Sequence, residues 1–214
     1  MESSFRKILS EGLSSIKLSL EDRQLELLEG YFRELSRWAS KINLTSILQE
    51  EEFIEKHLID SLAVTPLLSP GKRLLDIGTG AGIPAIPLAI ACPQLEVHCC
   101  DATAKKISFI KHVGAQLDIR NIIAHSVRVN GQPDKEGLMS AQYVISRAFK
   151  NPDEWIPLAL PYLAEEGQVV SMLGRRYGRT ELIALGDKYS KKLVFLLEFQ
   201  LPFSKSQRAI AVWS

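Results

Sequence analysis

At 214 residues, with 46% hydrophobic and 24% charged positions, the chain carries enough apolar material for one substantial core, so disorder is not its default. Twenty-six Lys and Arg nearly cancel 25 Asp and Glu, which excludes a strongly basic nucleic-acid coat; any RNA contact must come from a local patch. Cys92, Cys99 and Cys100 lack metal-site spacing and read as reduced thiols of a cytoplasmic protein, and no stretch reads as a leader or a membrane span.

In chain order, Ile8, Leu9, Leu13 and Ile16 predict a short first helix. From Ser19 to about Asn43, Leu25, Leu28, Phe32, Leu35, Trp38 and Ile42 recur every three or four positions against Glu21, Arg23, Glu26, Glu29, Arg33 and Arg37. That pattern predicts an amphipathic helix, with Ser19 as its N-cap and the Trp38 stripe in the core. A third helix is expected over Glu51 to Leu62, before Pro66, Pro70 and Gly71 break the pattern. Residues 1–70 therefore read as an N-terminal helical segment.

Beyond Gly71 the rhythm changes: RLLDI, EVHCCD, NIIAHS, QYVISRA, GQVVSML, LVFLLEF and AIAVW are strand-length runs, several separated by helical stretches such as Lys105 to Leu117. The alternation predicts an α/β domain over 71–214, a doubly wound, Rossmann-like seven-stranded sheet, mostly parallel, ending in an antiparallel pair.

LLDIGTGAGI, residues 74–83, stands where the first strand turns into a helix. Asp76, Gly78, Gly80 and Gly82 follow at every second position, whereas a dinucleotide fingerprint wants its third glycine one place later, where Ile83 stands. An acid before the turn repels a pyrophosphate and attracts a cation. S-adenosylmethionine meets that demand with its ammonium and sulfonium, and Asp101, closing the second strand, falls where a carboxylate accepts both ribose hydroxyls. The fourth strand ends VISRAF, without the Pro-Pro-aromatic motif of exocyclic-amine methylation, and no cysteine is placed to attack a cytosine ring. A nucleophile with a free lone pair, such as guanine N7, needs alignment and no general base, and Arg147 is a candidate to orient guanine through O6 or N7.

The chain resembles the RsmG (GidB) methyltransferases in an ordered set of motifs. These are Trp38, Lys41, Asn43, Leu44 and Thr45; His57, Asp60 and Ser61; DIGTGAGIPAIPLA at 76–89; Lys105 and Lys106; SRAF at 146–149; and Arg208 before the last strand. The resemblance implies a cytoplasmic enzyme that methylates guanine N7 in small-subunit (16S) ribosomal RNA with S-adenosylmethionine. It implies cofactor contacts at Gly78, Ile83, Val129, Asn130 and Arg147, with Asp101 on the ribose. Three positions depart from the family pattern: Asn130 replaces an acid, Ala85 a glycine and Leu173 a lysine. Lys105, Lys106, Arg175, Arg176 and Arg208 are the expected RNA contacts, with Tyr177 of GRRYGR able to stack on an unpaired base. The RNA is expected on a ribosomal particle, the protein as a monomer, with no metal.

Other readings stay open at this stage. A methyltransferase of a small molecule or a protein shares everything up to Asp101, and a non-catalytic ribosome-binding relative keeps the turn. His57 and Asp60, one helical turn apart, read as a hydrogen-bonded pair on a helix surface or as support for the cofactor turn. Asn43 and Thr45 read as caps of the next segment or as RNA contacts.

Overall fold

A computed structural model describes residues 3–147, 150–174 and 177–214. Helix α1 spans Ser4–Ser15 and α2 spans Asp22–Ala39. The cap of α2 is Glu21 and not Ser19: Gln24 takes the Glu21 N–H on Oε1 at 2.8 Å, while its Nε2 donates to the Ile90 and Ala91 carbonyls. One side chain thus closes the helix start and ties it to the helix that follows the first strand. At the other end α2 stops short of Asn43, where Ser40 turns its hydroxyl onto the Arg37 carbonyl.

The third predicted helix is there, with an irregularity that its periodicity hides. Helix α3 (Glu50–Phe53) passes into a π-helical stretch, Ile54–Ile59, and returns to α geometry in α4 (Asp60–Leu62). The wider turn rotates the face presented to the core, so Glu55, His57 and Asp60 are buried among Ile54, Leu58, Ile59 and Leu62. This overturns the helix-surface reading of His57 and Asp60.

The sheet holds seven strands: β1 (Arg73–Ile77), β2 (Glu96–Asp101), β3 (Ile122–Ser126), β4 (Ala141–Arg147), β5 (Leu163–Leu173), β6 (Leu193–Gln200) and β7 (Gln207–Trp213). Their spatial order is β3-β2-β1-β4-β5-β7-β6. The first five are mutually parallel, and β7 runs antiparallel to both β5 and β6. Strand β5 begins earlier than expected, because Leu163 pairs with Ala141 across an irregularity in the ladder, ahead of the apolar run that marked it.

Helices α5 (Ala85–Ala91) and α6 (Ala104–Gln116) follow β1 and β2. They share one core with the N-terminal helices, in which Phe5, Leu9, Leu28 and Tyr31 meet Leu74, Val97 and Ile145 of the sheet. Helices α7 (Pro133–Glu136), α8 (Pro152–Ala159) and α9 (Arg179–Lys188) follow β3, β4 and β5. On the opposite face Trp155 of α8, Leu182 of α9 and Trp213 pack against Leu75, Ile77 and Val144. Trp213 donates its indole N–H to the Leu182 carbonyl at 3.0 Å, so neither large ring buries an unmet donor.

Buried Glu55 carries the fold from the helices to the C-terminal hairpin. Its Oε1 accepts the Phe203 and Ser204 N–H groups, each at 2.6 Å, in the loop between β6 and β7. Replacing Glu55→Ala strands both amides, and denaturant unfolding is expected to show a loss of about 2 kcal/mol or more. A loss below about 0.5 kcal/mol, the level of an ordinary surface change, would mean that the hairpin does not depend on this carboxylate.

Candidate active site

The carboxyl ends of β1, β2 and β4 meet where the strand order reverses about β1, the place at which an open α/β sheet leaves a crevice for a ligand. The chain leaves β1 through Gly78, Gly80 and Gly82, at φ +75°, +59° and +88°. Gly78 and Thr79 donate their N–H groups to the Cys100 carbonyl at 2.9 and 3.0 Å, which pins the turn to the end of β2. Two of the glycines are there for different reasons. A Cβ on Gly82 would stand 2.5 Å from Ile86 Cδ1, so that glycine lets the turn pack on α5; a Cβ on Gly80 would meet nothing within 4 Å, which leaves the backbone open to a ligand.

Asp101 straps the turn down. Its Oδ2 accepts the Gly80 N–H at 3.1 Å and its Oδ1 the Thr103 N–H at 2.8 Å, with Lys106 Nζ 3.9 Å from Oδ2. Beside it opens a pocket of about 230 Å³ whose lining includes Gly78, Cys100, Asp101, Val127, Arg128 and Val129.

Asp76 lies beneath the turn and is buried, and neither carboxylate oxygen has a hydrogen-bond partner of good geometry; the Thr79 hydroxyl is likewise unpartnered. Burial pushes the Asp76 carboxyl up to about 7, held back by the nearby Thr79 hydroxyl, the Ala85 N–H and the charge of Arg147. An unsatisfied buried acid under an open backbone turn suits a ligand that brings positive charge.

Arg147, at the end of β4, reaches across to the π-helical stretch. Its Nη1 donates to the Lys56 carbonyl at 2.8 Å and to Asp60 Oδ2 at 3.3 Å, and its Nη2 donates to His57 Nδ1 at 3.2 Å. A guanidinium has no acceptor, so toward Arg147 the Nδ1 can only accept, while the same nitrogen also lies 3.2 Å from the Lys56 carbonyl; Nε2 bonds Thr45 Oγ1 at 2.9 Å. Burial and then the Arg147 charge lower His57 to about 3. Arg208 Nε lies 3.4 Å from Asp60 Oδ1, so one carboxylate faces two arginines. Burial pushes the Asp60 carboxyl up while both guanidiniums pull it back.

The structure brings Gly78, Asp101 and Val129 together around the pocket, and joins Gly80 to them through Asp101. Gly82 and Ile83 serve the packing of the turn, Ile83 within the core. Asn130 exposes its side chain and gives its N–H to Glu136. Of the expected RNA contacts, Lys105 is exposed at the start of α6, Lys106 leans on Asp101, and Arg208 is held on Asp60 instead of standing free. Arg175 and Arg176 lie outside the described residues. Thr45 accepts the Ile47 N–H and supports His57, while Asn43 is exposed. Reasoning from sequence missed Glu136, Tyr162 and Glu55, whose carboxylates and hydroxyl bond to backbone amides and leave no mark in residue spacing.

Among the described residues no group of His, Cys, Asp or Glu could hold a metal ion, and no helix is long and apolar enough to cross a membrane.

Strand order and glycine turn define a doubly wound methyltransferase fold of the S-adenosylmethionine-dependent type. A ribosomal protein L11 methylase from Lactobacillus delbrueckii subsp. bulgaricus shares it with a TM-score of 0.56 at 16% identity, over 73% of this chain and 77% of that one. TrmN from Thermus thermophilus has a TM-score of 0.56 at 17% identity, over 86% of this chain and 52% of that one. The GidB family model, rRNA small subunit methyltransferase G, matches residues 24–210. A protein of Anaeromyxobacter sp. (strain Fw109-5) named ribosomal RNA small subunit methyltransferase G is 45% identical over 213 residues, covering 100% of this chain and 99% of that protein. One of the same name from Myxococcus xanthus (strain DK1622) is 40% identical over 187 residues, 87% of this chain and 86% of that protein. The chain belongs to the GidB family.

The unsatisfied acid has a measurable cost. Asp76 is raised in the folded protein from 3.8 to about 7, so its contribution favours folding below pH 4 and is lost as pH rises through 7. Ligand-free Asp76→Asn protein is therefore expected to match wild type near pH 4 and to exceed it above pH 7 by about 2 kcal/mol in urea unfolding. A variant less stable than wild type at pH 8 would contradict the assignment.

Proposed function

We propose that the protein transfers a methyl group from S-adenosylmethionine to N7 of a guanine in small-subunit (16S) ribosomal RNA, presented in the cytoplasm on a ribosomal particle, with the protein acting as a monomer. The observation that carries the reading is the pair of carboxylates at one glycine turn: Asp101 straps the turn and Asp76 lies under it unsatisfied. Family membership supports the RNA substrate. When bound, the cofactor supplies an electrophilic methyl group on sulfur.

The chain's own residues then have three tasks. The backbone at Gly80 lets the cofactor approach without a Cβ in the way, and Asp101 holds the ribose through its remaining acceptor capacity. Asp76 favours the ammonium end electrostatically, in a buried position where water does not screen it. Arg147, fixed at the neighbouring strand end by Lys56, His57 and Asp60, orients the guanine while donors remain on its guanidinium.

The surroundings favour an in-line transfer to a lone pair over base-assisted chemistry. Cys99 and Cys100 are buried with thiols pushed well up by burial, Cys100 to about 12, so neither supplies a thiolate. His57 is neutral, yet its accepting nitrogen is occupied by Arg147. Guanine N7 carries an in-plane lone pair and no proton, so it needs neither.

The test is to incubate the protein with labelled methyl donor and either undermethylated small subunits or free 16S RNA, then map label by N7-specific cleavage. Label at a guanine N7 in the subunits is expected; label elsewhere, or none, overturns the reading. Asp101→Ala is expected to weaken cofactor binding at least about tenfold, since hydrogen bonds to a charged group are lost. Arg147→Lys retains a charge for Asp60 but loses the planar fork, and is expected to slow methyl transfer by a comparable factor. Unchanged affinity or unchanged rate in the respective variant would sink that residue's role.

A further inference from the structure

The pocket wall facing Asp101 is a loop, and little of its own structure holds it. Val127, Arg128 and Val129 reach the pocket from the stretch between β3 and α7. Helix α7 is four residues long, too short to be stable alone, and it ends at Gly137 in the left-handed region, φ +67°. Its near end is tied by the Val127 N–H to the Asp101 carbonyl at 3.2 Å, and its far end by a convergence of donors. The Asn130 and Gln132 N–H groups both reach Glu136 Oε1, at 2.9 and 3.2 Å. Between them the Gly131 N–H donates to the Tyr162 hydroxyl at 2.9 Å, and that hydroxyl donates onward to Glu136 Oε2 at 2.5 Å. Three consecutive amides are thus tied to one carboxylate, directly or through one tyrosine.

We propose that Glu136 is a positioning residue of the cofactor site: its carboxylate, relayed to Gly131 by Tyr162, holds residues 127–132 as the nucleoside wall of the pocket. The inference rests on the reading of the pocket as the seat of the adenosine part of S-adenosylmethionine. With the ribose on Asp101 at the end of β2, the space left for the base lies toward the end of β3, against Val127 and Val129. Tyr162 is suited to the relay because burial, and then Glu136, push its phenol up to about 12, so it keeps the proton that it donates.

Replacing Glu136→Gln removes the charge and one acceptor, and turns an NH₂ group toward a neighbouring donor. Tyr162→Phe removes the relay alone. Calorimetric titration of the intact proteins with S-adenosylhomocysteine and, separately, with adenosine tests the idea. E136Q is expected to weaken both ligands by the same factor, about tenfold, and Y162F by about threefold. In turnover the loss is expected in KM for the methyl donor more than in kcat, and hydrogen exchange at amides 130–132 is expected to speed up. A folded E136Q or Y162F protein with unaltered affinity for both ligands overturns the proposal. So does a loss confined to S-adenosylhomocysteine, which would place the effect at the amino-acid end. Wild-type protein that binds neither ligand would instead overturn the cofactor reading on which the proposal stands.

Discussion

A carboxylate taken out of water has to find a donor or a cation, and around this site that requirement ties the parts of the molecule together. Glu55 takes two amides of the β6–β7 loop, Asp60 takes the guanidiniums of Arg147 and Arg208, and Asp101 takes Gly80 and Thr103. All of these bonds but the one from Thr103, two residues from Asp101, join elements distant in sequence. An uncompensated buried charge costs several kcal/mol, against a total folding free energy of about 5–15 kcal/mol, so pairs of this kind decide which arrangement of helices and sheet survives. Asp76 is the exception, buried at the base of the glycine turn with no hydrogen bond of good geometry to either oxygen.

The π-helical stretch Ile54–Ile59 shows how this requirement connects the N-terminal helices to the chemistry. Its widened turn brings Glu55, His57 and Asp60 inward in close succession, toward the hairpin and Arg147. The Lys56 carbonyl is met by Arg147 at 2.8 Å. The helical segment therefore shares a core with the sheet and also sets the direction of the arginine at its edge. Its motif residues His57, Asp60 and Thr45 form one hydrogen-bonded cluster around that arginine.

Much of this was legible in the chain, and the limit has a physical cause. Strands RLLDI and EVHCCD are bounded as expected, because short apolar runs closing on an acid are local signals. The turn glycines declared themselves by spacing, and the structure holds all three at positive φ. Periodicity could not reveal the π-helical stretch, which breaks the 3.6-residue repeat on which a helical reading relies. Nor could it place Arg208, expected before the last strand as an RNA contact but lying within β7, its guanidinium bound to Asp60, 148 positions earlier in a chain of 214 residues. Glu136 leaves no mark in residue spacing, because the backbone amides that converge on it do so only in the fold.

Under the proposed function, Asp76 keeps an unmet charge requirement that a cationic methyl donor satisfies. The most direct measurement is the proton release that accompanies S-adenosylmethionine binding, read by calorimetry in buffers of different ionisation enthalpy. Asp76 titrates near 7 without ligand, and a bound cation lowers it, so roughly half a proton should leave per cofactor bound at pH 7. In Asp76→Asn that release should vanish. Binding without proton release in the wild type, or the same release in the variant, would contradict the account.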